Sequence, residues 1–138
     1  MPEKIIRRID YYYVSVKDEP GQSLRLLKQM ADLGVNLMAF AAVPAGPDTT
    51  MLTLFPEDSH KLQTMAKRAG MNLIGPHGAI LVRGSDGLGA LLGVHEALYK
   101  ANVNVYSSTA VTDGHSCYGY LIYVRPDEYD RAAAALEI

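Results

Sequence analysis

The sequence predicts an α+β chain of two ferredoxin-like units in tandem, each a βαββαβ arrangement with its helices on one face of an antiparallel sheet. Three observations carry that prediction. Apolar segments with strand and helix periodicity follow the order β-α-β-β-α-β over residues 1–75, the same order begins again within 76–138, and matched residues recur at one fixed spacing.

The first segment, Ile5 to Val16, is rich in Ile, Tyr and Val. Its alternation sets Tyr12, Val14 and Val16 on one face and Tyr11, Tyr13 and Ser15 on the other. Asp18-Glu19-Pro20-Gly21 is turn chemistry, and Gln22 to Leu33 carries Leu24, Leu27, Met30 and Ala31 at helical spacing, with Gly34 as the stop. Val35 to Val43 and Thr50 to Phe55 read as a hairpin turned by Pro44-Ala45-Gly46-Pro47. Pro56-Glu57-Asp58-Ser59 then opens a helix bearing Leu62, Met65, Ala66 and Ala69, closed by Gly70, and Met71 to Gly75 is a short fourth strand.

From residue 76 the order repeats. Gly78 to Val82 reads as strand, Ser85 to Gly89 as turn, Leu91 to Ala101 as helix, and Val103 to Val111 and Tyr118 to Val124 as strands about the turn Thr112 to His115. Pro126 to Leu136 is the last helix. Asp18 and Asp86, Gly21 and Gly89, Leu24 and Leu92, Val35 and Val103, and Asn36 and Asn104 are each 68 positions apart (104 − 36 = 68). Beyond the hairpin a spacing of 70 pairs Pro56 with Pro126, Leu52 with Ile122 and Leu54 with Val124, which predicts a second hairpin loop two residues longer. The second unit lacks its last strand. Either the N-terminal residues Ile5, Ile6 and Ile9 or a neighbouring chain is expected to cover that edge.

Composition bounds the function. Thirteen basic and fifteen acidic residues give a net charge of −2 with no basic field, which argues against nucleic acid as a partner. No apolar run reaches the roughly 20 residues of a membrane span, and the start Met1-Pro2-Glu3-Lys4 lacks a secretory apolar region, so the expected location is cytoplasmic. The single cysteine, Cys117, excludes an internal disulfide framework and suits a reducing compartment.

The candidate binding residues cluster at the two strand-to-helix turns. In the first are Asp18, Glu19, Pro20, Gly21 and Gln22 with Asn36 at the start of the next strand; in the second are Asp86, Gly87 and Gly89 with Asn104. A glycine turn at a helix start brings backbone N–H groups to an anion. Asp18 is an acceptor suited to an ammonium group, and Asn36 offers a donor and an acceptor. These residues could equally act as a helix cap and a turn.

With strand, Asp18-x-Pro20-Gly21-x-x-Leu24, helix and Gly34-Val35-Asn36-Leu37 in one half, and Asp86-x-x-Gly89-x-x-Leu92 with Asn102-Val103-Asn104-Val105 in the other, both halves resemble ACT domains. These are small regulatory modules attached to many enzymes of amino-acid metabolism. The spacing from Gly21 to Asn36 is similar to that of serine-sensing members such as the regulatory part of phosphoglycerate dehydrogenase. The second half departs by carrying Leu88 in the place of Pro20. The resemblance implies a regulatory protein without catalysis or cofactor that binds a small molecule, an amino acid foremost, at an interface between two ACT units. It also implies assembly as a homo-oligomer, a dimer first, and docking on a metabolic enzyme as the alternative. The fuller motif makes the first turn the expected site.

Other chemistry is weaker in the sequence. His115-Ser116-Cys117, with His77 and His95, is a candidate metal set matching no fixed motif, set against an exposed turn and a small strand residue. His95 stands 68 positions after Leu27, on the helix's apolar stripe, and is expected to bond a core neighbour. Tyr11, Tyr13 and Tyr123 are expected on the face away from the helices. Gly84-Ser85-Asp86-Gly87-Leu88-Gly89 lacks the Lys of a phosphate loop, and no nucleophile and base stand in recognisable context.

Overall fold

In the computed structural model residues 4–138 are described, so Met1-Pro2-Glu3 of the polar start lies outside them. The strands are β1 (Ile5–Lys17), β2 (Leu37–Pro44), β3 (Thr49–Pro56), β4 (Ile74–Ser85), β5 (Ser107–Thr112) and β6 (Cys117–Tyr123). The helices are α1 (Gln22–Asp32), α2 (Ser59–Ala69), α3 (Leu92–Lys100) and α4 (Tyr129–Ala135), the last entered through a 3-10 turn at Pro126–Glu128. Two compact units result: Asp10–His77, and Gly78–Ile138 together with the described residues up to Ile9.

In the first unit the strand order is β2-β3-β1-β4, and β3 pairs antiparallel with β1 and β2. Alternation makes one face of this sheet apolar. Tyr12, Val14, Leu52 and Leu54 meet Leu26 and Met30 of α1 and Leu62, Met65 and Ala66 of α2 in one buried cluster. The hydroxyl of Tyr12, sunk in that cluster, accepts a hydrogen bond from Gln63 Nε2 at 2.6 Å. Asp58 caps α2 by accepting from the Lys61 N–H at 3.2 Å, and Gly70 ends the helix at φ 66°. On the opposite face Tyr11 meets Tyr13 edge to face and Phe55 and His77 at a tilt, with centroids 5.2–5.4 Å away.

The second unit takes the strand order β5-β6-β4-β1, with β6 antiparallel to β4 and β5. Its core repeats the first position by position. Ile80, Val82, Val94, Leu98 and Val103 stand 68 residues after Tyr12, Val14, Leu26, Met30 and Val35, and each lies in the buried cluster of its unit. Ile6 packs against the second cluster.

Two sequence expectations are corrected by the sheet register. The spacing remains 68 through the second hairpin: Tyr12 pairs with Leu54 and Ile80 with Ile122 (122 − 54 = 68), so Ile122 answers to Leu54 rather than to Leu52. Both hairpins therefore have equal loops, closed by Ala45 N–H to Thr49 C=O at 2.9 Å and by Asp113 N–H to Cys117 C=O at 3.0 Å. The prolines misled because Pro56 ends β3 whereas Pro126 opens the 3-10 turn before α4, an inserted turn that belongs after the hairpin. The second correction concerns residues 71–82, read as two strands. From Ile74 onward they belong to the single strand β4, which runs on through Gly75, Pro76 and Gly78.

Gly78 is required by packing. A Cβ there would lie 2.6 Å from the ring of Tyr129, whose hydroxyl donates to the Ala79 carbonyl at 3.0 Å. Gly78→Ala is expected to lower stability by about 1–3 kcal/mol through this overpacking. Leu54→Ala and Ile122→Ala, at equivalent fully buried positions, should each cost about 2–5 kcal/mol in chemical denaturation.

Candidate functional site

Each unit builds the same corner where strand, glycine turn and helix meet. Gly21 and Gly89 adopt φ of 89° and 73°, a left-handed backbone that turns the chain into α1 and α3 at little steric cost. Each turn is tied to its neighbouring hairpin by one amide. Asp18 N–H donates to the Asp48 carbonyl at 2.9 Å and Asp86 N–H to the Ser116 carbonyl at 2.6 Å.

At the second corner this arrangement surrounds a cavity of about 500 Å³. The turn supplies Asp86, Gly87 and Gly89, the entry to α3 supplies Ala90, Leu91, Leu92 and His95, and the hairpin supplies Ala110, Val111, Thr112 and Tyr118. Its walls are mostly aliphatic, with one carboxylate, two hydroxyls and one imidazole among them, the composition of a small-molecule site. Tyr118 rests on Gly84, where a Cβ would meet its ring at 3.2 Å, and burial pushes its hydroxyl pKa up, so it stays protonated at neutral pH.

His95 connects the cavity to the core. Its Nε2 lies 2.6 Å from the hydroxyl of Tyr120, a residue only 3% exposed, and the rings stack at 5.8 Å. Leu27 and Leu52 occupy the equivalent positions of the first unit, so both partners differ together. The second unit has placed a hydroxyl in its core and supplied its partner. The hairpin that presents Thr112 and Tyr118 is held by Asp113, whose Oδ1 accepts from the N–H groups of His115 (2.7 Å), Ser116 (3.2 Å) and Cys117 (3.1 Å). These bonds, that of His115 foremost, hold the Asp113 carboxyl below its usual pKa.

The expected residues fall into separate places. Asp86, Gly87 and Gly89 line the cavity; Asn104 is exposed outside its lining. In the first unit Asn36 Nδ2 donates to Glu57 Oε2 at 2.9 Å, and Gln22 Nε2 lies 3.5 Å from Glu19 Oε2. Gln22 instead lines a different cavity of about 320 Å³, with Arg25, Gln29 and Asn72. Asp18, Glu19, Pro20 and Gly21 are exposed. Sequence reasoning missed Leu91, at the entry to α3, and Val111, Thr112 and Tyr118, which reach the cavity only by hairpin pairing. Among the described residues no group of three or more His, Cys, Asp and Glu side chains gathers, so His77, His95, His115 and Cys117 form no metal cluster there.

No protein-family model and no curated protein matches the chain. Solved structures do share its fold. A protein of Bacteroides thetaiotaomicron superposes with a TM-score of 0.79 at 14% identity, covering 96% of this chain and 88% of that one. The ligand-free regulatory subunit of aspartate kinase from Thermus thermophilus gives 0.61 at 12% identity, with 99% and 95% covered. A C-terminal regulatory domain of aspartate kinase from Porphyromonas gingivalis gives 0.55 at 14%, with 97% and 94% covered. The chain thus shares the α+β fold of these structures, and no helix among the described residues is long and apolar enough to cross a membrane.

His95→Leu should destabilise the protein by about 1–3 kcal/mol by leaving the Tyr120 hydroxyl unpaired, and adding Tyr120→Phe should restore most of that loss in a double-mutant cycle. Asp113 has a lowered pKa in the folded chain. Its contribution is therefore complete above the ordinary carboxylate range and lost as pH falls through the lowered value. Carboxyl NMR titration should find Asp113 protonating below the ordinary aspartate value, and Asp113→Ala should loosen the hairpin amides at neutral pH.

Proposed function

We propose that the chain is a regulatory protein of two ACT-like units in tandem, with the N-terminal strand residues completing the second, and that it binds a free amino acid at the second corner without catalysing a reaction. The cavity beside Asp86 carries this reading. It adjoins a strand-to-helix turn, the place where the family resemblance puts a ligand. The Asp86 carboxylate suits an ammonium group, and the backbone amides of the turn suit a carboxylate. The sequence favoured the first corner, but there the Asn36 amide is engaged by Glu57. The neighbours described as regulatory parts of aspartate kinase support a regulatory role in amino-acid metabolism.

Regulation requires a second state that the ligand favours. We assign that state to assembly with a second copy. β5 ends the strand order of its unit, all six of its residues are exposed, and Ser107–Thr112 contains neither charge nor proline to discourage pairing. A cytoplasmic setting and a metabolic enzyme as a further partner fit the same reading.

Thermal shift against the twenty amino acids should show stabilisation that rises with concentration for at least one of them. Asp86→Ala should abolish the shift with the fold intact, whereas Asp18→Ala should leave it unchanged. The opposite pattern would move the site to the first unit. Light scattering should report a dimer, and Val111→Lys should favour the monomer.

A further inference from the structure

We infer that the cavity selects amino acids with uncharged, apolar side chains and excludes those with a second charge. This rests on the reading of the cavity as an amino-acid site and adds the class of ligand. The argument is one of charge and of wall chemistry.

Among the described residues of the lining Asp86 is the only acidic one, and none is Lys or Arg. A bound zwitterion places its ammonium against Asp86, which leaves no carboxylate for the side-chain ammonium of a basic amino acid. An acidic side chain would find no cation at all. The one imidazole of the lining, His95, turns its Nε2 to the Tyr120 hydroxyl. Either extra charge would be desolvated against Leu91, Leu92, Ala110 and Val111 without a partner, an unfavourable transfer. An aliphatic or aromatic side chain would gain from the same walls, since Leu92 and Val111 expose 71% and 69% of their surface and a ligand can cover them.

The first unit shows that this composition is particular to the second. At the positions of His95, Thr112 and Tyr118 it has Leu27, Pro44 and Thr50, so two of the three polar groups that frame the second cavity are replaced by apolar ones and the third loses its ring.

Isothermal titration of the intact protein with leucine, isoleucine, valine, methionine and phenylalanine, and separately with lysine, arginine, aspartate and glutamate, tests the inference. At least one of the first group should bind at least tenfold more tightly than every member of the second. Leu92→Asp, a change at an exposed wall position outside β5 that leaves the core intact, should weaken the best apolar ligand at least tenfold while circular dichroism and the melting temperature stay close to those of the parent. Tightest binding by a charged amino acid would overturn the selectivity and leave the amino-acid site standing. Binding by none of these nine would overturn the selectivity, and a flat thermal shift across all twenty would overturn the amino-acid site with it.

Discussion

The strict alternation of β1 and β3 in one unit, and of β4 and β6 in the other, is the constraint on which the rest depends. Every second residue of these strands faces a pair of helices, so Tyr12, Val14, Leu52 and Leu54, and Ile80, Val82, Tyr120 and Ile122, are buried together with α1 and α2 or α3 and α4. A slip of one residue would exchange these side chains with Tyr11, Tyr13 and Thr53 on the other face. Core, turn and cavity all follow from that register, because it decides which loop end stands beside which helix start.

The register also explains why two units with one plan have diverged where they have. Strand positions facing the helices have kept apolar side chains, and the exceptions come with compensation. Tyr12 in the first core is matched by Gln63, and Tyr120 in the second by His95. A buried hydroxyl without a partner would cost more than the packing it provides. The corners are under no such demand, and there the units differ freely. Glu57 answers Asn36 in one, and an aliphatic cavity with a single carboxylate opens in the other.

Much of this organisation was legible in the residues. Helix limits were marked by Gly70 and by the Asp58 cap, the glycine turns by Gly21 and Gly89, and the inward-facing strand residues by period-two alternation. The spacing of 68 identified equivalent positions correctly up to the second hairpin and then failed at Pro126, where identity of residue type was mistaken for identity of place. His95 was recognisable as a polar residue on an apolar stripe. Its partner was not, since Tyr120 is 25 residues away and reaches it only through the pairing of β6 with β4.

By itself the sequence determined the class of fold, the positions of the turns and the inward-facing residues of the strands, because propensity, capping and periodicity act over a few neighbouring residues, whereas on α1 it named Leu24 and Leu27, which are exposed, in place of the buried Leu26. Only the tertiary structure decided that β4 is a single strand, that the hairpins are equal in length and that Asp86 rather than Asp18 borders the cavity. Those outcomes depend on which strands hydrogen-bond across long separations and on the volume left between turn, helix and hairpin. No local stretch of residues encodes either quantity.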